Sequence, residues 1–241
     1  MALICKKIPT FAPPQKPYSL DFCAEGFVDI TAYSKGKIKA DMQYIKMGLS
    51  GAISLAIVRE GVAKRLLDAL SLLPLGYTFK VYDAWRPFSV QKAIYDSYFE
   101  KVKEAHLSEG LSEEQLHALT RKFVSFPKRD VQPSFVHSSG GAVDLTIIDA
   151  DGNELDMGTG FDDFTPLSMT SAFEHMEHSP ICQNRRLLYS AMTEAGFTNY
   201  HEEWWHYDFG DIFYGQKTGE NVIYDSVFDT NDVLERMNVY V

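Results

Sequence analysis

Two histidines and two carboxylates lie in short stretches whose residue types suit a metal-assisted hydrolysis. In His137-Ser-Ser-Gly-Gly-Ala-Val-Asp144, two glycines permit a tight turn between a histidine and a strand bearing an aspartate. Farther along, Glu202-Glu203-Trp204-Trp205-His206-Tyr207-Asp208-Phe209 holds three acids and a histidine among aromatics. Zinc binds imidazole nitrogen and carboxylate oxygen at about 2.0–2.2 Å, and catalytic sites keep a further position for water. His137, Asp144 and His206 supply three such ligands, leaving Glu203 to act on that water. On spacing alone the ordinary alternative carries more weight, since isolated histidines and strand aspartates are more often satisfied core or turn residues. Arg86, between Trp85 and Pro87, is placed to hold a planar guanidinium at a cleft rim, where it suits a carboxylate or an oxyanion. A salt bridge to Asp83 is an equal reading. His175 and His178 form an HxxH without supporting periodicity and read as solvated.

The elements that must position these residues follow from hydrophobic patterning. Ala142 to Ile148 reads as a strand with Ala142, Asp144 and Thr146 on one face and Val143, Leu145 and Ile147 on the other. An aliphatic side packed in the core leaves Asp144 facing a cleft. Thr78 to Trp85 reads as a second strand, whose exit carries Asp83 to Pro87. Phe27 to Ala32 reads as a short strand, and Phe197 to Phe209 as one strand or a pair. Glu203 and His206 would face opposite sides of a regular strand, so sharing a site demands a bulge or an irregular start.

Apolar residues at helical spacing predict a helix over Ser54 to Leu73, ended by Pro74 and Gly76. Ser89 is expected to cap a helix reaching about His106, Ser112 with Gln115 a capping box for one reaching about Phe123, and Asn184 a helix ending at Gly196. Helices and strands mix without regular βαβ alternation, so an α+β fold is expected, with a central mainly antiparallel sheet flanked by helices. Its 241 residues are expected to form a single domain over 1–241, with an extended N-terminal arm over 1–26 and a peripheral helical insertion over 106–127.

A net charge of −10 argues against nucleic acid as a partner, because phosphate binding uses clustered Lys and Arg. No apolar run is long enough to span a bilayer, and Met1 to Pro14 lacks a secretory apolar stretch, so a cytoplasmic location is expected. Cys5, Cys23 and Cys182 are too few and scattered for a disulfide framework, although a Cys5–Cys23 bridge stays open.

Three ordered blocks, Tyr82-Asp-Ala-Trp-Arg-Pro87, His137-Ser-Ser-Gly-Gly-Ala-Val-Asp-Leu145 and Glu203-Trp-Trp-His-Tyr207, resemble the zinc D-alanyl-D-alanine dipeptidases of the VanX type. That family lies within a wider group that includes D,D-carboxypeptidases and the Hedgehog signalling domain. Lesser matches are Met157-Gly-Thr-Gly-Phe-Asp162 and the helix from Asn184 to Gly196-Phe197, so the likeness runs from about Asp41 to Phe209. The resemblance implies one zinc held by His137, Asp144 and His206, Glu203 as general base and Arg86 stabilising the oxyanion. It assigns Asp162 to the substrate's ammonium group, and a small cell-wall dipeptide as the substrate. Departures cluster around the substrate: Phe135 stands where the family usually has serine, Ser139 where it has arginine, and Ser168-Met169 where it has Ser-His. These leave open a carboxypeptidase or endopeptidase acting on longer cell-wall peptides, and the resemblance to the Hedgehog branch leaves open a non-catalytic zinc-bearing binding module.

Overall fold

A computed structural model describes residues 3–129, 135–163 and 165–238. The regular elements are β1 (Phe27–Asp29), α1 (Ile30–Tyr33), β2 (Lys39–Ala40), α2 (Gln43–Lys46), β3 (Ile57–Arg59), α3 (Glu60–Ser71), β4 (Thr78–Asp83), α4 (Phe88–Ala105), α5 (Glu113–Thr120), β5 (Ala142–Ile148), α6 (Pro180–Glu194), β6 (Thr198–Asn199), β7 (His206–Asp208), α7 (Ile212–Thr218) and α8 (Thr230–Glu235). The fold is α+β. Its main sheet has the order β2-β4-β5-β7-β6, in which only the β2–β4 pair is parallel, and a two-stranded sheet pairs β1 with β3. Among the described residues no helix is long and apolar enough to cross a membrane.

Strand β5 is the axis of the molecule. Val143, Leu145 and Ile147 are fully buried in one core with Val62, Leu66 and Ala69 of α3 and Leu188 and Ala191 of α6. Ala142, on the opposite face, packs in a separate small cluster with Val136 and Ile212. The alternation expected from the sequence therefore turns Asp144 away from the aliphatic core.

Several boundaries differ from the sequence reading, each for a local reason. The strand expected over Phe27 to Ala32 stops at Asp29, whose carboxylate accepts from the backbone N–H of Thr31 and Ala32 at 3.3 and 3.4 Å and so starts α1. The helix expected from Ser54 begins only at Glu60. Ile57 to Arg59 instead pair antiparallel with β1, because consecutive aliphatics satisfy a buried strand as well as a helix stripe. Pro87, not Ser89, is the N-cap of α4. Ser179 caps α6 ahead of Pro180, and Asn184 lies inside that helix with its amide donating to Asp156 O at 2.9 Å. The capping box of Ser112 and Gln115 is present as expected. All three cysteines are free.

The link between the site's turn and β5 depends on two glycines. Gly140 adopts φ +72°, and a Cβ there would lie 2.6 Å from the Phe27 ring. Gly141 has ordinary dihedral freedom, but a Cβ would meet the Phe209 carbonyl oxygen at 2.5 Å. Gly141→Ala is expected to destabilise the fold by about 1–3 kcal/mol through this overpacking, lowering the melting temperature by roughly 2–4 °C per kcal/mol. Calorimetry would check this; an unchanged melting temperature would show that β5 and β7 shift apart freely.

Candidate metal and catalytic site

Cross-strand register aligns the acidic and imidazole groups. Asp83 of β4 stands opposite Asp144 of β5, and Asp144 stands opposite His206 of β7, so three side chains form a row across the sheet. The register shift between Val81 and Asp83 brings Asp83 into that row. His137 joins from a 3-10 turn, Val136–Ser139, pinned where the Arg86 N–H donates to the His137 carbonyl at 3.2 Å. Glu203 arrives by an irregular path, as its spacing from His206 demanded: the segment between β6 and β7 folds as turns, with Glu203 N–H bonded to Tyr200 O and His206 N–H to Glu203 O.

One potential ligand atom from each of His137, Asp144 and His206 lies within 4.8 Å of the others, and all three residues are buried. His137 Nε2 is 3.2 Å from His206 Nδ1 and 3.4 Å from Asp144 Oδ2, while His206 Nδ1 is 2.9 Å from Asp144 Oδ1. The outward nitrogens are tied: His137 Nδ1 lies 2.8 Å from the Ala84 carbonyl oxygen, and His206 Nε2 lies 2.8 Å from Asp208 Oδ1. Such partners fix tautomer and ring orientation, leaving inward lone pairs for an ion. The donor set, two imidazoles and a carboxylate with anchored outer nitrogens, fits a zinc-type cation.

The titration of these groups follows from their surroundings. Burial, aided by the Arg86 charge, depresses His137 to about 3, so its imidazole is neutral and ready to donate a lone pair. His206 is driven the other way: against the effect of burial, Asp208 and Asp144 raise it well above the ordinary imidazole value. Burial pushes Asp83 up to about 7, with the Asp144 charge adding and Arg86 opposing. Burial likewise pushes Glu203 up to about 8, reinforced by the Asp144 and Asp162 charges, although its side chain keeps 22% exposure at the cavity. Its carboxylate is 3.9 Å from His206 Nδ1.

Arg86 resolves the two readings of its sequence by adopting the ion pair while still lining the site. Nε and Nη2 contact Asp83 Oδ2 at 2.8 and 2.7 Å, Nη1 donates to Gln91 Oε1 at 2.7 Å, and Nη2 donates to the Tyr44 hydroxyl at 3.2 Å. Of five guanidinium N–H groups, one on Nη1 has no partner among the described residues. Tyr44 in turn donates to Asp162 Oδ2 at 2.9 Å. Asp162 has φ +56°, a left-handed conformation that aspartate tolerates better than most residues. Its segment is braced from behind by Arg185, which donates to the carbonyls of Met157, Leu167 and Met169 at 2.7, 2.8 and 2.6 Å.

These groups line a cavity of about 100 Å³ whose wall includes His137, Asp144, Asp162, Glu203, His206 and Arg86. Every residue singled out from the sequence as a candidate thus borders one space. Sequence reasoning missed Tyr44, Gln91 and Asp208; only a strand register or a tertiary contact links them to the motifs. His175 and His178 are exposed and do not line this cavity, in keeping with a solvated reading. Phe135 borders the cavity, whereas Ser139 does not: its hydroxyl donates to Val136 O at 2.6 Å and accepts from Gly141 N at 2.9 Å.

Residues 46–223 match the D-ala-D-ala dipeptidase family, peptidase family M15, and the chain belongs to that family of metallopeptidases. It is similar to a D-alanyl-D-alanine dipeptidase of Synechocystis sp., with 27% identity over 223 residues, covering 84% of this chain and 90% of that one. A D-alanyl-D-alanine dipeptidase of Escherichia coli is 36% identical over 120 residues, covering 49% of this chain and 55% of the relative. One from Enterococcus faecalis is 31% identical over 150 residues, covering 61% and 70%.

Proposed function

We propose that this chain is a zinc-dependent dipeptidase that hydrolyses D-alanyl-D-alanine or a closely related small dipeptide. The observation that carries the reading is the convergence of three ligand groups, a base and a cation on one small cavity. His137, Asp144 and His206 hold one zinc per chain. Zinc in such a donor set supplies Lewis acidity, polarising a carbonyl oxygen and acidifying water.

Glu203 is the general base. Its side chain reaches the cavity beside the ligand group without belonging to it, and its raised proton affinity suits it to take a proton from the attacking water and return it to the leaving amine. Arg86 presents its guanidinium, held by Asp83 and Gln91 and 3.7 Å from Asp144 Oδ2 at Nη2, to the negative charge developing on the carbonyl oxygen. Asp162, oriented by Tyr44, receives the substrate's ammonium group. The relatives named dipeptidases support a small substrate. Incubating the zinc-loaded protein with D-Ala-D-Ala beside a stem pentapeptide tests this; cleavage of the pentapeptide in preference to the dipeptide would shift the assignment to a carboxypeptidase.

Asp208 acts through His206, whose Nε2 it fixes. Asp208→Ala is expected to weaken zinc binding roughly 10–100-fold, as loss of such outer partners does elsewhere. Competition against a chelator of known affinity measures the change; an unaltered affinity would remove Asp208 from the metal's support.

A further inference from the structure

A dipeptide carries an anion as well as a cation, and the cavity described above is dominated by Asp144, Asp162 and Glu203 in a chain of net charge −10. A free carboxylate entering it needs a positive partner. The cations lining the cavity are Arg86, Arg121 and Lys122. Arg86 has all but one N–H engaged by Asp83, Gln91 and Tyr44. Arg121 lies over the Phe126 ring, 5.3 Å from its centroid.

Among the described residues Lys122 has neither the ring contact of Arg121 nor the ion pair of Arg86. It is exposed, and among the described residues its ammonium group makes no ion pair. Its backbone is fixed at the end of the capped helix α5, where its N–H donates to Leu119 O at 3.2 Å. It borders the catalytic cavity and also a neighbouring hollow of about 360 Å³ that shares Tyr200 and Glu203. Lys122 therefore stands at the boundary of the two spaces, and its four-carbon stem lets the ammonium group follow a ligand.

We propose that Lys122 recognises the free carboxylate of the substrate and so makes the enzyme selective for peptides that end one residue past the cleaved bond. The inference rests on the dipeptidase reading and adds a specificity residue to it. With the ammonium end at Asp162 and the carboxylate at Lys122, both ends of a zwitterionic dipeptide are read.

The test compares D-Ala-D-Ala with its carboxyl-terminal amide in the zinc-loaded wild type, K122M and K122R. The wild type is expected to prefer the free acid in kcat/KM by roughly 10–100-fold, the size of one charge-assisted hydrogen bond. K122M should bring the acid-to-amide ratio close to one through a higher KM for the acid, and K122R should restore most of the preference. An acid-to-amide preference retained in K122M overturns the role of Lys122 and leaves the dipeptidase reading standing. Failure of the wild type to cleave either compound, with zinc bound, overturns the dipeptidase reading and the Lys122 role with it.

Discussion

Replacing Glu203 with alanine is expected to lower kcat by about 10²–10⁴-fold while zinc stays bound. The ligand group is complete without Glu203, so the variant should carry wild-type metal content. Nor does the substitution remove a structural partner: among the described residues the Glu203 carboxylate makes only the 3.9 Å contact with His206, and its side chain is 22% exposed. The melting temperature should therefore hold or rise, since a partly desolvated carboxylate is removed. Glu203→Gln keeps the shape but not the basicity, and should be as inactive as the alanine variant. Three readouts separate the outcomes: product release, metal content and thermal melting. An active Glu203→Ala enzyme would transfer the base's role to another group.

His206→Ala should abolish activity by a different route, through loss of the metal itself. His206 bridges Asp144 at 2.9 Å and Asp208 at 2.8 Å, both nearly inaccessible to water. Its removal leaves two buried carboxylates without their shared cation, so a stability loss of roughly 3–5 kcal/mol is expected as well. The same contacts make metal binding sensitive to pH. In the metal-free protein Asp208 and Asp144 hold the His206 proton to a pH above the ordinary imidazole range, and zinc must displace that proton. His137, depressed to about 3, carries no competing proton near neutrality. Zinc affinity should therefore fall with acidification by about tenfold per pH unit, the slope of a single proton. Equilibrium dialysis against buffered zinc at several pH values measures that slope. A slope near zero would mean that His206 is already neutral, and a slope near two that His137 also titrates.

How much of this was legible in the sequence depends on whether the information was contiguous. His137 and Asp144 are joined by one turn and one strand, so alternation alone could aim the aspartate away from the core and the glycines could return the histidine to it. The conflict between Glu203 and His206 was also visible, because a period of two cannot put both on one face; the structure answers with turns before β7. Tyr44, Gln91 and Asp208 were not visible in the same way. Tyr44 meets Arg86 and Asp162 across long stretches of chain, and the bond between Asp208 and His206 depends on how the imidazole is rotated. At the element level, Ile57 and Val58 continue the apolar stripe of α3 yet pair with β1, a choice set by the neighbouring strand. In the segment expected as a peripheral insertion over 106–127, Arg121 to Ser125 border the cavity, a placement that follows from the packing of α4 against α5.

The central claim is tested most directly by release of D-alanine from D-Ala-D-Ala, measured with the purified protein loaded with zinc, stripped by a chelator, and reloaded. Turnover that disappears on stripping and returns with about one zinc per chain is the predicted result. Absence of turnover with zinc bound, or turnover indifferent to its removal, would contradict the account.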